Sequence, residues 1–106
     1  MIKKNEERLV AKMGYAFAPK KLVEEKQKIR FMYRENPDNE SDSGWRFFSG
    51  DETDEYVNNP DNIALYDVNT IAEIDPDIIP FMDSPVDSAF ERNNPRDPFK
   101  PSQMFE

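Results

Sequence analysis

Four carboxylates, Asp51, Glu52, Asp54 and Glu55, follow the glycine that closes the run Gly44-Trp45-Arg46-Phe47-Phe48-Ser49-Gly50. Paired carboxylates perform acid–base chemistry when burial and mutual repulsion drive their pKa values apart. They serve equally as favourable charge at a helix N-terminus, worth about 0.3–1 kcal/mol each. With no His, no Cys and no glycine-rich phosphate loop to work with, they specify no reaction. Helix-end electrostatics or a partner-facing patch is the better reading of the cluster. A second acidic run, Asp38-Asn39-Glu40-Ser41-Asp42-Ser43-Gly44, places acids at alternate positions as a calcium loop does. A calcium loop counted from Asp38 needs Gly at its sixth position and Glu at its twelfth. Those positions hold Ser43 and Ser49, so no dedicated metal site is expected.

The absence of His and Cys removes further classes at once: His-based relays, thiol catalysis, thiolate zinc sites, iron–sulfur ligation and disulfides. No catalytic residue, metal or cofactor is therefore assigned. No apolar run approaches the roughly 18–20 residues that span a bilayer. The start, Met1 to Arg8, carries charge without an apolar segment behind it, so a cytoplasmic location is expected. The net charge of -8 divides sharply: residues through Arg34 sum to +6, and the rest to -14. Such an acidic part repels nucleic acid and membrane and attracts a cationic protein. The run Lys28-Ile29-Arg30-Phe31-Met32-Tyr33-Arg34 interleaves bases and aromatics in the manner of single-strand binders, but the surrounding charge argues against that use.

The elements that must position these groups are short. At 106 residues, 37% hydrophobic and 12% aromatic, the chain can build one small aromatic core. A peripheral helix is expected within residues 1–14, and a strand at Tyr15–Ala18. A short helix should open at Pro19 and run to about Glu25. Lys28–Arg34 alternates as a strand, with Ile29, Phe31 and Tyr33 on one face. Asp51 or Thr53 can cap a helix holding Tyr56 and Val57, broken at Asn59-Pro60. Ile63–Tyr66 should be a buried strand, and Asp67 can cap a helix from Val68 to Ile74. Ile78, Ile79, Phe81 and Met82 form an apolar patch on a Pro-bracketed turn. Ser88–Arg92 should be the last strand, followed by an extended or disordered Pro-rich tail over 93–106 in which Phe99 and Phe105 are candidates to dock. The expected class is α+β: a small, mainly antiparallel sheet with short helices packed on it, as a single domain over residues 15–92.

Strand alternation sorts the aromatic run into two faces, Trp45 with Phe47 and Arg46 with Phe48. One face should be core; the other lies under a helix or anchors a partner. For Arg34, Glu35 and Arg46, near strand ends, an Arg–carboxylate fork with the acidic loop is expected.

Several motifs together resemble the immunity protein 33 family of bacterial polymorphic toxin systems. They are Tyr33-Arg34-Glu35-Asn36-Pro37-Asp38, Asp42-Ser43-Gly44-Trp45-Arg46-Phe47-Phe48-Ser49-Gly50-Asp51-Glu52 and Glu55-Tyr56. Asn59-Pro60-Asp61-Asn62, Tyr66-Asp67-Val68-Asn69-Thr70-Ile71, Asp75-Pro76-Asp77-Ile78-Ile79-Pro80 and Ser88-Ala89-Phe90-Glu91-Arg92 continue it. The resemblance implies a small α+β protein that binds and neutralises a toxin, and it supplies no catalytic residues. The expected function is thus a non-enzymatic inhibitor whose acidic face covers a basic cleft on its partner. The residues expected to contact it are Asp38, Glu40, Asp42, Trp45, Arg46, Asp51, Glu52, Asp54, Glu55 and Tyr56. An adaptor binding through Trp45 and Tyr56, and a hydrolase using Asp51 to Glu55, are the alternatives.

Overall fold

Alanines and aromatics alternate along Tyr15-Ala16-Phe17-Ala18, and alternation in a strand puts them on opposite faces. In the computed structural model, which describes residues 8–102, this segment is β1, Tyr15–Pro19. Ala16 and Ala18 are buried, while Tyr15 and Phe17 stay half-exposed. Helix α1, Lys20–Glu24, follows Pro19, whose missing N–H costs nothing at a helix start.

β2, Phe31–Arg34, pairs antiparallel with β3, Asp42–Phe48. β3 also lies parallel to β1, so it is inserted between the two strands that precede it. Thr53 caps α2, Asp54–Val57, its Oγ1 accepting from the Tyr56 amide at 3.1 Å. A 3-10 turn, Pro60–Asn62, leads into β4, Ile63–Asp67, which pairs antiparallel with β1. Asp67 caps α3, Val68–Ile74, by accepting from the Asn69 amide at 2.8 Å. A 3-10 helix, Pro76–Phe81, precedes β5, Ala89–Glu91, and β6, Lys100–Pro101. The six-stranded sheet has the order β4-β1-β3-β2-β5-β6 and is mostly antiparallel, in an α+β domain.

One face of the sheet carries the core. Ala16, Ala18, Met32, Trp45 and Phe47 pack in one cluster with Leu22 of α1, Val68, Ile71 and Ala72 of α3, and Ile78. Trp45 and Phe47 stack with ring centroids 6.0 Å apart, and Trp45 Nε1 donates to the Met82 carbonyl at 3.2 Å. Both rings are fully buried.

Four expectations are revised. Ile63–Tyr66 is not a buried strand: β4 is an edge of the sheet, and Leu65 is 51% exposed. The strand expected from Lys28 begins only at Phe31. Ile29 precedes it and is buried, its amide donating to Asp75 Oδ2 at 2.9 Å, and Met32 supplies the core side of β2. Ser88–Arg92 is not the last strand, because β6 pairs with β5; Phe99 docks against the core cluster as expected. Of the helix expected over residues 1–14, residues 1–7 lie outside the described range, and residues 8–14 form none. Those residues strap the start of α3 instead: Arg8 pairs with Asp67 at 2.8 Å, and Asn69 Oδ1 accepts from the Leu9 and Val10 amides.

Candidate functional site

The sheet face opposite the core is aromatic. Phe17, Phe31, Tyr33 and Phe48 point away from Trp45, Phe47 and Met32, and Leu65 lies beside Phe17. Among the described residues, no helix of the core cluster packs on them. Phe31, Tyr33 and Phe48 form a three-ring group with centroids 5.7–6.2 Å apart, Tyr33 and Phe48 lying within 13° of parallel. Burial raises the Tyr33 hydroxyl pKa, and the Glu35 charge raises it further.

Arg46 lies at the centre of this face and is buried. Its guanidinium sits over the Phe17 ring at 4.3 Å. Nε donates to Glu35 at 2.6 Å, and Nη1 and Nη2 donate to the two Asp42 carboxylate oxygens at 2.9 Å each. This is the expected Arg–carboxylate fork, built as a bidentate pair. Arg34 stays out of it and donates to the Ser43 and Ser84 carbonyls. Gly44 makes the close approach possible: its φ is +90°, and a Cβ there would overlap the Glu35 carbonyl.

Burial pushes the Asp42 carboxyl pKa up, but the Arg46 guanidinium and the Asp38 and Gly44 amides outweigh this and hold it at about 2. The folded value lies below the unfolded one, so Asp42 stabilises the fold above about pH 4 and loses that contribution as pH falls toward 2. Urea unfolding at pH 4.5 and 2.5 should show wild type losing about 2 kcal/mol more than Asp42→Asn over that interval. Equal losses would show that the Asp42 charge is not linked to folding.

The remaining predicted residues are dispersed. Asp38 and Glu40 are exposed before β3, and Asp51, Asp54 and Glu55 are exposed after it. Seven residues of strand separate the two acidic groups by about 20 Å. They are thus two ends of the sheet rather than one continuous patch, with the aromatic face running between them. Asp51 pairs loosely with Arg30 at 3.7 Å. Glu52 is half-buried and committed locally: Oε2 accepts from the Ser49 amide and hydroxyl, and Oε1 from the Gly50 amide. Tyr56 docks α2 on α1, its hydroxyl oxygen accepting from the Lys21 amide at 3.3 Å.

Three of the residues expected to contact a partner, Trp45, Arg46 and Asp42, are buried. Trp45 is 0% exposed under the helices, so its side chain offers no surface of the kind the adaptor alternative uses. Arg46 and Asp42 are spent on each other. Sequence reasoning paired Phe31 and Tyr33 with Ile29 and so missed that they join Phe48 on the outer face. It also missed a second buried ion pair: Arg92 donates to Asp75 at 2.6 Å and Asp77 at 2.8 Å, beneath the Phe99 ring at 4.1 Å. Among the described residues, no group of three or more His, Cys, Asp or Glu could hold a metal ion, and no helix is long and apolar enough to cross a membrane.

Residues 16–103 match the family described as Immunity protein Imm33 domain. The chain belongs to this immunity protein family. The match covers the whole sheet from Ala16 onward, β6 included, and so extends beyond Arg92. Membership points to a toxin-immunity role with a protein as partner. No curated protein and no solved structure matches the chain.

Proposed function

We propose that this immunity-family protein is a non-enzymatic inhibitor that binds a toxin by its outer sheet face, the acidic ends of β3 steering a basic surface onto it. The observation that carries the reading is the layout: a half-exposed aromatic face flanked by Asp38 and Glu40 at one end and Asp51, Asp54 and Glu55 at the other. Exposed charge of one sign accelerates encounter with an opposite charge, while desolvated aromatics supply the energy that holds the complex. If the toxin cuts nucleic acid, these carboxylates stand where its phosphates would lie.

The test is protection. A toxin domain encoded beside this chain should arrest growth when expressed alone, and co-expression of this chain should restore growth. Association of the purified pair should slow at least about tenfold between low and physiological salt. Lysines at Asp38, Glu40, Asp54 and Glu55 should reproduce that slowing at low salt. Failure to protect against the neighbouring toxin would overturn the immunity reading. Protection with a salt-independent rate would overturn only the steering role of the acids.

A further inference from the structure

Twice inside this domain a guanidinium lies on a phenylalanine ring and is closed in by two carboxylates. Arg46 rests on Phe17 between Asp42 and Glu35, and Arg92 on Phe99 between Asp75 and Asp77. A third place pairs aromatic walls with one carboxylate. Phe31, Tyr33, Phe48, Gly50, Glu52 and Val57 line an open depression of about 320 Å³ on the outer face. The near-parallel pair Tyr33 and Phe48 is part of its lining, and the face of an aromatic ring is its electron-rich surface. At its edge the Glu52 carboxylate is held in place by the Ser49 and Gly50 amides and the Ser49 hydroxyl. A carboxylate accepts about four hydrogen bonds and Glu52 accepts three, so it retains capacity for one more. Arg30 lies against Gly50 and turns to Asp51. Glu91, cross-strand from Phe31, adds an exposed negative charge on this face, with Lys100 opposite it on β6.

We propose that this depression receives an arginine side chain of the partner protein, stacked on Tyr33 and Phe48 and paired with Glu52. The assignment of the arginine to a toxin rests on the immunity reading; the chemistry of the depression does not. Charge complementarity selects the occupant. An aliphatic side chain would match the apolar lining but leave Glu52 unmatched, whereas a planar guanidinium satisfies both at once.

The decisive measurement needs no toxin. Isotope-labelled wild-type protein is titrated with arginine amide, and with leucine amide as control, following backbone amide signals by NMR. Saturable shifts centred on Phe31, Tyr33, Phe48, Gly50 and Glu52 are expected with arginine amide alone. Tyr33→Leu keeps the apolar volume and removes the ring face, and Glu52→Gln removes the charge. Each should weaken arginine amide by several-fold while the dispersed amide spectrum persists, and Tyr33→Phe should leave it unchanged. The same two variants should weaken the toxin complex by about 10-fold to 100-fold. Equal shifts at the exposed acids at both ends of β3, or unchanged affinity in Tyr33→Leu, would overturn the proposal. A clean titration with no growth protection would strike the immunity reading and leave the depression's ligand chemistry standing.

Discussion

Arg92→Met should be among the most damaging single changes in this domain, costing about 3–5 kcal/mol of stability. The side chains of Arg92 and Asp75 are each 1% exposed, and Arg92 Nη2 donates to Asp75 at 2.6 Å. Nε also satisfies the Ile29 carbonyl at 2.9 Å, and Nη1 satisfies Asp77 and the Asp97 carbonyl. Methionine matches the aliphatic stem and fills much of the space under Phe99, so packing is a minor part of the loss. What remains is a carboxylate enclosed without its counter-charge and two carbonyls without a donor, which costs far more than the intact pair contributes. The midpoint of thermal unfolding should fall by more than about 10 °C. Adding Asp75→Asn removes the stranded charge while keeping an oxygen for the Ile29 amide, so the double variant should recover part of the loss. A double-mutant cycle by urea unfolding measures this coupling. If Asp75→Asn gives no recovery, the cost of Arg92→Met lies in packing instead.

Trp45→Ala should cost a similar 3–5 kcal/mol, this time through a cavity. The ring is fully buried, stacks on Phe47 at 6.0 Å and donates to the Met82 carbonyl, which the substitution leaves unmatched. Most domains are stable by only about 5–15 kcal/mol, so the variant should be close to unfolding at 37 °C. Trp45→Phe retains most of the volume and should cost markedly less. Trp45 is the chain's single tryptophan, so its fluorescence reports wild-type unfolding directly, and far-ultraviolet circular dichroism serves for the variants. A surface anchor would behave in the opposite way, with stability intact and partner affinity reduced.

These two positions show where sequence reasoning is strong and where it stops. Caps were legible because they are local: Thr53 and Asp67 accept from amides two or three residues onward, and both positions announce themselves in the sequence. Alternation separated Trp45 and Phe47 from Arg46 and Phe48, and the sheet obeys it. Alternation does not say which face is covered, however. That depends on where α1, α3 and the 3-10 helix return, so alternation by itself leaves Trp45 open as core or anchor. The split of the acidic run had the same origin, because residues close in sequence lie a strand-length apart. Asp42 and Arg46 did carry a usable signal, since four residues along a strand share a face. Arg92 and Asp75 had none, as their meeting depends on β5 pairing with β2 and on Asp75 docking at Ile29. Lys100–Pro101 was hidden because two residues flanked by prolines carry no period, and its pairing with β5 is tertiary.

The order of the sheet also sets how the chain must reach this structure. β1 finds Asp42 on one side of Tyr15 and Asp67 on the other, and neither neighbour is the strand that follows it. The pairings of β1 therefore join residues distant in sequence, Tyr15 with Asp42 and Tyr15 with Asp67. Each pairing closes a long loop before any contact repays it. The β2–β3 hairpin, joined by one short loop, is a local strand pair, as is β5–β6, and it carries Phe31, Tyr33 and Phe48 together. The ring cluster is thus built from local sequence, whereas the Arg46–Phe17 contact that backs it needs the non-local pairing of β1 with β3.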